Sequence, residues 1–517
     1  MQRKHTILYI ITYSLLAVSA IGFIVSLYKL QHFGTSQIDE IIFYLKNGIG
    51  DGQSDTFIAA AAQYSIYAAA LLALLLVPVI TKWRTAILSK IPRRLAGDVL
   101  RSHLTTIRPV YLAWYSVVVC TGALISLGSS FSVVAYASSV LQTSTFYETH
   151  YVDPKTTNIV FPAKKRNLIY IYLESMENTV ASKAHGGMRD TSVIPELEQL
   201  ALQPGSISFS HQASGLGGAR QAAGTHWTVA GITAQSGGIP LKNNLLGSKD
   251  GNYMSSYDKF LPGAFTLGDV LQRQGYNQTF MLGSKASFGG RDKLFSQHGN
   301  YTIYDYEHAK KAGKFPSDYY VWWGYEDKKL FHYAKQELTR LSQEPAPFNF
   351  QMLTVDTHFT NGYADETCQK PFTHKYDNVH ACASKMVANF IHWITQQPFY
   401  ADTTIIITGD HLGMQTSYYN EAIDNKPYER TIYNAFINSA VTTTRTYNRQ
   451  FTSFDMYPTT LAALGATIQG DRLALGTNLF SAQPTLLESY GGNLAAFNAE
   501  LGKRSHFYER RLLLNTP

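Results

Sequence analysis

Three long uncharged apolar runs, at about residues 6–28, 57–80 and 110–135, constrain this chain more than any other feature. About 20 apolar residues are needed to cross the hydrocarbon layer of a bilayer, and each run is long enough. Residues 1–137 are therefore expected to form a membrane anchor of three transmembrane helices. The first run is too long for the apolar core of a signal peptide, and no small-x-small cleavage pattern follows it. It is expected to stay on the chain.

Charge placement orients the anchor. The net charge is +7, from 44 basic and 37 acidic residues. Residues 1–109 carry eleven basic and five acidic side chains, which leaves about +1 for the other 408 residues. No large basic domain remains to neutralise a nucleic-acid backbone, so no nucleic-acid partner is expected. The N-terminus holds Arg3 and Lys4. Residues 82–109 hold Lys82, Arg84, Lys90, Arg93, Arg94, Arg101 and Arg108 against Asp98 alone. The stretch 31–55 is acidic, with Asp39, Glu40, Asp51 and Asp55 against Lys46. The positive-inside bias then places the N-terminus and residues 82–109 in the cytoplasm. Three crossings put everything after about Ala137 outside the membrane.

Residues 138–166 read as a connector, and residues 167–517 as an extracytoplasmic domain. There the apolar runs are short: Leu168–Leu173, Thr279–Leu282, Phe348–Val355 and Thr403–Thr408. They are rich in Ile, Val, Tyr and Phe, as strands are. Helical stretches such as Glu326–Leu341 and Ala381–Gln396 lie between them. That alternation predicts an α/β domain with a largely parallel central sheet.

Three of these strands run straight into polar residues: Glu174-Ser175, Asp356-Thr357-His358, and Gly409-Asp410-His411. In open α/β sheets the ligand crevice lies beyond the carboxyl ends of the strands, so groups far apart in sequence can converge there. Glu174, Asp410 and His411 make two carboxylates and one imidazole. That set suits a divalent cation; its oxygen-rich mix favours Mn2+, with Mg2+ or Zn2+ as alternatives. The competing reading is a turn cap at Asp410-His411 beside a solvated Glu174.

Gly224-Thr225-His226-Trp227-Thr228 precedes a small-residue apolar run, Val229–Ala234, and is expected to open a helix. A Thr225 hydroxyl at or near the N-cap would meet an anion at the helix terminus and act as a nucleophile if a metal lowered its pKa. It could equally be a plain capping threonine. His358 could hydrogen-bond a phosphate or protonate a leaving oxygen, or be a satisfied structural histidine. Arg291, in Ser287-Phe288-Gly289-Gly290-Arg291-Asp292, could clamp a phosphate or sit in a surface salt bridge.

At these residues the chain resembles a family. Leu173-Glu174-Ser175, Gly224-Thr225-His226-Trp227-Thr228-Val229-Ala230-Gly231, Gly238-Ile239-Pro240-Leu241, Thr354-Val355-Asp356-Thr357-His358 and Gly409-Asp410-His411 resemble the membrane-bound phosphoglycerol transferases of osmoregulated periplasmic glucans. More broadly they resemble the lipoteichoic acid synthase group of the sulfatase and alkaline phosphatase superfamily. Asp455-Met456-Tyr457-Pro458-Thr459 with Leu464-Gly465, and Leu475–Phe480, resemble its C-terminal helix and the loop after it.

The resemblance implies a metal held by Glu174, Thr225, Asp410 and His411, with Thr225 as nucleophile and His358 and Arg291 on the substrate. The implied reaction moves phosphoglycerol from phosphatidylglycerol to a periplasmic or cell-surface glycan. It passes through a glycerophospho-threonine and releases diacylglycerol, at the bacterial inner membrane. The glucan enzymes tend to carry lysine at position 291. The tryptophan, histidine and aspartate that precede the arginine of the synthases have no counterpart in Leu282–Gly290. The chain also stops at Pro517, without the long C-terminal extension of some members.

A phosphoethanolamine transferase would share the threonine and metal, but usually has five membrane helices and more disulfides. A sulfatase would need a cysteine or serine in a Cys/Ser-x-Pro-x-Arg context, which Thr225 lacks. A non-catalytic tethered binding protein on the same fold is the remaining alternative. Only three cysteines are present, which excludes a disulfide-dense scaffold. Cys368 and Cys382 fall on the expected outer side, where an oxidising compartment favours a local disulfide over two free thiols.

Overall fold

The computed structural model describes residues 2–33, 54–90, 107–242, 258–424 and 426–516. Most of the acidic stretch 31–55 (residues 34–53) and of the basic stretch 82–109 (residues 91–106), on which the expected orientation rests, lies outside the described residues. The chain divides into two compact units. One holds the N-terminal helix and Ser54–Ala135; the other holds Tyr136–Pro517.

In the first unit α1 (Gln2–Phe33) contains an apolar stretch, His5–Gln31, long enough to span a bilayer. The second expected span does not run unbroken to residue 80. Helix α2 (Ser54–Leu76) ends before Pro78, and α3 (Thr81–Lys90) leaves at 76°. Proline lacks an amide hydrogen and crowds the preceding turn, so the helix cannot continue through it. The third run also splits. Helix α4 (Pro109–Ser130) is a second candidate span, and it stops where Ser132 takes a positive φ of 52°. Gly22 of α1 lies against Ala123 and Leu127 of α4, a close approach of the kind small residues permit between helices in lipid.

The second unit is built on a seven-stranded sheet. Its strands in chain order are β1 (Asn167–Leu173), β2 (Ser206–Ile207), β3 (Asn277–Leu282), β4 (Thr302–Tyr304), β5 (Phe348–Leu353), β6 (Thr403–Gly409) and β7 (Asn434–Ile437). The spatial order is β2-β7-β6-β1-β5-β3-β4. The five strands from β6 to β4 run parallel, and β7 and β2 close one edge antiparallel. All four strands expected from the sequence are present, side by side.

Strand β1 shows why the sheet is covered on both faces. Leu168, Tyr170 and Tyr172 enter one apolar core, while Ile169, Ile171 and Leu173 enter the other. A strand buried on both faces reads as a continuous apolar run, as parallel strands do. Helices α5 (Thr228–Gly237), α6 (Asp327–Leu341) and α7 (Lys375–Thr395) flank the sheet. Helix α7 starts six residues before the stretch expected at Ala381, capped by the His374 side chain, whose ring nitrogen accepts from the Tyr376 amide. Residues of the expected connector pack into this unit: Phe146 and Tyr147 are buried, and Ile159–Val160 pairs with Thr467–Ile468.

Cys368 and Cys382 are joined, with Cα atoms 5.5 Å apart, and so tie the loop after β5 to α7. Closing a loop of this length restricts the unfolded chain by about 3 kcal/mol. The double variant Cys368→Ser/Cys382→Ser should lose roughly that much stability in denaturant unfolding of the oxidised protein. An unchanged midpoint would show that the tether does not restrain the unfolded chain.

Candidate metal centre and active site

Strand β1 lies between β5 and β6, so their carboxyl ends are neighbours; Leu173 pairs with Gly409 and Tyr172 with Leu353. The residues after those ends meet. Glu174, Asp410 and His411 are all buried, with one ligand atom from each within 4.8 Å of the others. The solvated-Glu174 reading is thereby overturned.

Backbone and neighbours hold this cluster rigidly. Ser175, at a positive φ of 55°, donates its amide to Asp410 Oδ1 (2.8 Å) and its hydroxyl to Glu174 Oε1 (2.8 Å). Thr354 Oγ1 accepts from the Glu174 amide (3.0 Å), and the Thr357 hydroxyl donates to the Glu174 carbonyl (2.5 Å). Helix α5 closes the other side. Gln235 Nε2 donates to the carbonyls of Gly409 and Asp410 (2.9 and 3.2 Å). A Cβ on Gly231 would lie 2.1 Å from the Asp410 carbonyl oxygen, so only glycine allows this approach.

The chemistry of the set fits a cation. His411 Nδ1 lies 2.8 Å from the Leu412 carbonyl, which can only accept, so Nδ1 carries the proton. The lone pair of Nε2 then faces Glu174 Oε1 at 3.4 Å and Asp410 Oδ2 at 3.3 Å. Asp410 Oδ2 is buried and has no hydrogen-bond partner. Acceptors gathered in this way are what a divalent ion binds. Burial, with the Glu174 charge adding to it, pushes the Asp410 carboxyl up to about 7. Burial also disfavours the Glu174 carboxylate. The His358 and His411 charges and the Ser175 and Thr228 hydrogen bonds outweigh it and hold Glu174 below the usual range.

Thr225 is buried, and its hydroxyl donates to the Ala222 carbonyl (2.8 Å). It is not the helix cap. Trp227 is extended, with φ −140° and ψ 159°, so α5 begins only at Thr228 and Thr225 stands two residues before the cap. The segment nonetheless reaches the cluster: the Thr228 hydroxyl lies 3.1 Å from Glu174 Oε2 and 3.5 Å from His411 Nε2. Thr228 belonged to the quoted motif, yet nothing in the sequence separated its hydroxyl from that of an ordinary first-turn threonine.

His358 is buried, and its Nδ1 donates to the Phe359 carbonyl (2.7 Å). Burial lowers its pKa, and the Glu174 charge opposes that shift. Arg291 is not in a surface salt bridge. It is 5% exposed, with Nη2 donating to Ser284 Oγ (3.3 Å) and the Lys285 carbonyl (2.8 Å) and a buried Nε without a partner. Burial draws its pKa down to about 10, against the charges of Glu174, Asp305, Asp410 and Asp292.

A second buried acid pair stands beside this site. Both Asp327 oxygens accept loop amides, from Val355 (2.8 Å) and Asp356 (3.1 Å), while Asp356 Oδ1 accepts from the Asp327 amide (3.2 Å). This clasp joins the start of α6 to the loop that carries His358. Burial raises Asp327 to about 7, and burial with the Asp327 charge raises Asp356 well above the usual carboxylate range. Both groups sit above their unfolded values of about 4. Their contribution to stability is therefore complete below about pH 4 and is lost as pH rises through about 7. Asp356→Asn keeps the oxygen that accepts from Asp327 and removes one charge. Its melting temperature should fall less between pH 6 and pH 8.5 than that of the native protein; equal slopes would show that the pair ionises without cost.

The sulfatase family profile matches residues 166–466. Phosphoglycerol transferase I from Escherichia coli is 32% identical over 282 residues, which are 52% of this chain and 34% of that protein. The chain thus spans about a third of the length of the curated relatives it matches. Among solved structures, the lipoteichoic acid synthase LtaP from Listeria monocytogenes is 17% identical with a TM-score of 0.47, covering 63% of this chain and 79% of that one. The phosphoglycerol transferase GacH from Streptococcus pyogenes, in complex with sn-glycerol-1-phosphate, is 13% identical with a TM-score of 0.41, covering 68% and 94%. With its sheet, its strand-end cluster and more than half of its length inside the family profile, the chain belongs to the sulfatase family.

Proposed function

We propose that this protein transfers a phosphoglycerol group from phosphatidylglycerol to a hydroxyl of a periplasmic or cell-surface glycan. In this reading residues 1–137 anchor it in the bacterial inner membrane with the N-terminus in the cytoplasm. Residues 138–166 connect the anchor, and residues 167–517 work outside. The observation that carries the reading is the buried set of acceptors on Glu174, Asp410 and His411, with the Thr228 hydroxyl, three residues after Thr225, against it. The relatives named phosphoglycerol transferase I support the choice of group. An anchored enzyme also has a physical reason: its donor lipid does not diffuse through water.

A divalent ion on Glu174, Asp410 and His411, Mn2+ by preference, would offset the charge of the phosphate and lower the pKa of the Thr225 hydroxyl. Arg291 holds a phosphate oxygen through its buried guanidinium. Thr225 gives its proton to solvent and its Oγ attacks phosphorus. The bond from phosphorus to the diacylglycerol oxygen breaks, and that oxygen keeps the electron pair and takes a proton from His358 Nε2. A glycerophospho-threonine remains. The acceptor hydroxyl then gives its proton to the neutral Nε2 and attacks phosphorus from the side opposite Thr225; the bond from phosphorus to Thr225 Oγ breaks, and Oγ keeps the electron pair and regains a proton from solvent. The proton on Nδ1 stays with the Phe359 carbonyl throughout, so Nε2 is the nitrogen that exchanges.

Thr225→Ala should retain its melting temperature and its bound divalent ion by elemental analysis. It should lose at least about 10^3-fold of the turnover of a fluorescent phosphatidylglycerol. Undiminished turnover would remove Thr225 as nucleophile. Turnover of phosphatidylethanolamine alone, by the native protein, would replace the donor.

A further inference from the structure

His358 does not hold its orientation alone. Its ring packs against two aromatic rings: Phe359, with centroids 4.9 Å apart, and Trp323, at 4.5 Å. Trp323 is 6% exposed and also packs against Phe288 at 5.5 Å, the ring that the Arg291 guanidinium overlies. It belongs to a short turn in which the Val321 amide donates to Gly324 (2.8 Å) and the Gly324 amide donates back to Val321 (3.1 Å). That turn is pinned to the end of β3, where the Tyr325 amide donates to the Gly283 carbonyl (2.9 Å). Gly324 has φ +150°, and a Cβ there would lie 2.2 Å from Gly283 O, so the turn sits directly on the strand end. Two residues after Tyr325, Asp327 clasps the loop that carries His358. The ring of Trp323 against the imidazole and the clasp of Asp327 on its loop thus come from one strap, residues 321–327.

We propose that Trp323 is a positioning residue: it sets the plane of the His358 imidazole so that Nε2 points at the oxygen of the leaving alcohol. The inference rests on the reading of His358 as the proton carrier and deepens it. The Nδ1 bond to Phe359 O limits rotation about the ring's attachment at one atom, and the Trp323 ring, packed at 4.5 Å, limits tilting of the plane about that bond. A misdirected Nε2 costs most when the leaving oxygen needs a proton as its bond to phosphorus breaks. A diacylglycerol alkoxide needs one. A nitrophenolate, stable as an anion near neutral pH, needs it far less.

The test compares two substrates on the full-length protein in detergent: a fluorescent phosphatidylglycerol, and bis(p-nitrophenyl) phosphate. Phosphatidylethanolamine, which releases the same diacylglycerol, replaces the first lipid if it alone is turned over. Trp323→Leu keeps apolar bulk and loses the ring. It should lower kcat on the lipid by about 10^2-fold, the scale of a misplaced catalytic group, with KM within about threefold. That loss should exceed the loss on the nitrophenyl diester by at least about tenfold. Trp323→Phe should restore most of the lipid turnover. Equal losses on both substrates, or none, would overturn the proposal. His358→Ala separates it from the reading beneath: equal losses there would show that His358 carries no proton to the leaving group, whatever Trp323 does.

Discussion

Two buried carboxylates, each with an oxygen 3.3–3.4 Å from one imidazole lone pair, repel it and one another unless positive charge stands among them. The site depends on that constraint. Glu174 and Asp410 gain partial relief from the Ser175 and His411 amides and the Thr228 hydroxyl. Asp410 Oδ2 has none of these. Hydrogen bonds to the other oxygens fix where the acceptors point and leave one direction open, which is how a protein prepares a cation site before the cation arrives.

The surrounding chain spends its close contacts on that preparation. Gly231 and Gln235 bring α5 onto the end of β6, and Thr354 and Thr357 bind the Glu174 backbone from the end of β5. Deeper still, the buried Glu177 carboxylate meets Arg430 and accepts the Gly413 amide (2.9 Å), which anchors the loop after His411. Each ligand is therefore fixed from at least two elements. The loop after β5 also carries His358, so the cluster and this imidazole share one support.

Much of this was legible in the residues. Four of the five parallel strands announced themselves because strands buried on both faces are unbroken apolar runs, and the polar residues that ended three of them marked the crevice. The short strands β2, β4 and β7 were not legible: runs of two to four residues carry too little pattern to rise above loops. Nor did the local pattern show that α5 starts after Thr225, because glycine and threonine before a small-residue run suit either a cap or an extended approach. Pro78 was visible, but the apolar run passed through it, and hydropathy does not register a missing amide hydrogen.

The sequence by itself determined the apolar runs of the anchor, the α/β character of the rest, and the kinds of side chain available for metal and phosphate chemistry. These depend on composition and period, which are local. Only the tertiary structure decided that Glu174, Asp410 and His411 share one buried point, that Arg291 is enclosed rather than paired at the surface, and that Trp323 and Asp327 support His358. Those facts arise because the spatial order β6-β1-β5-β3 differs from the chain order. Strand ends more than 200 residues apart in sequence become neighbours only when the sheet closes around them.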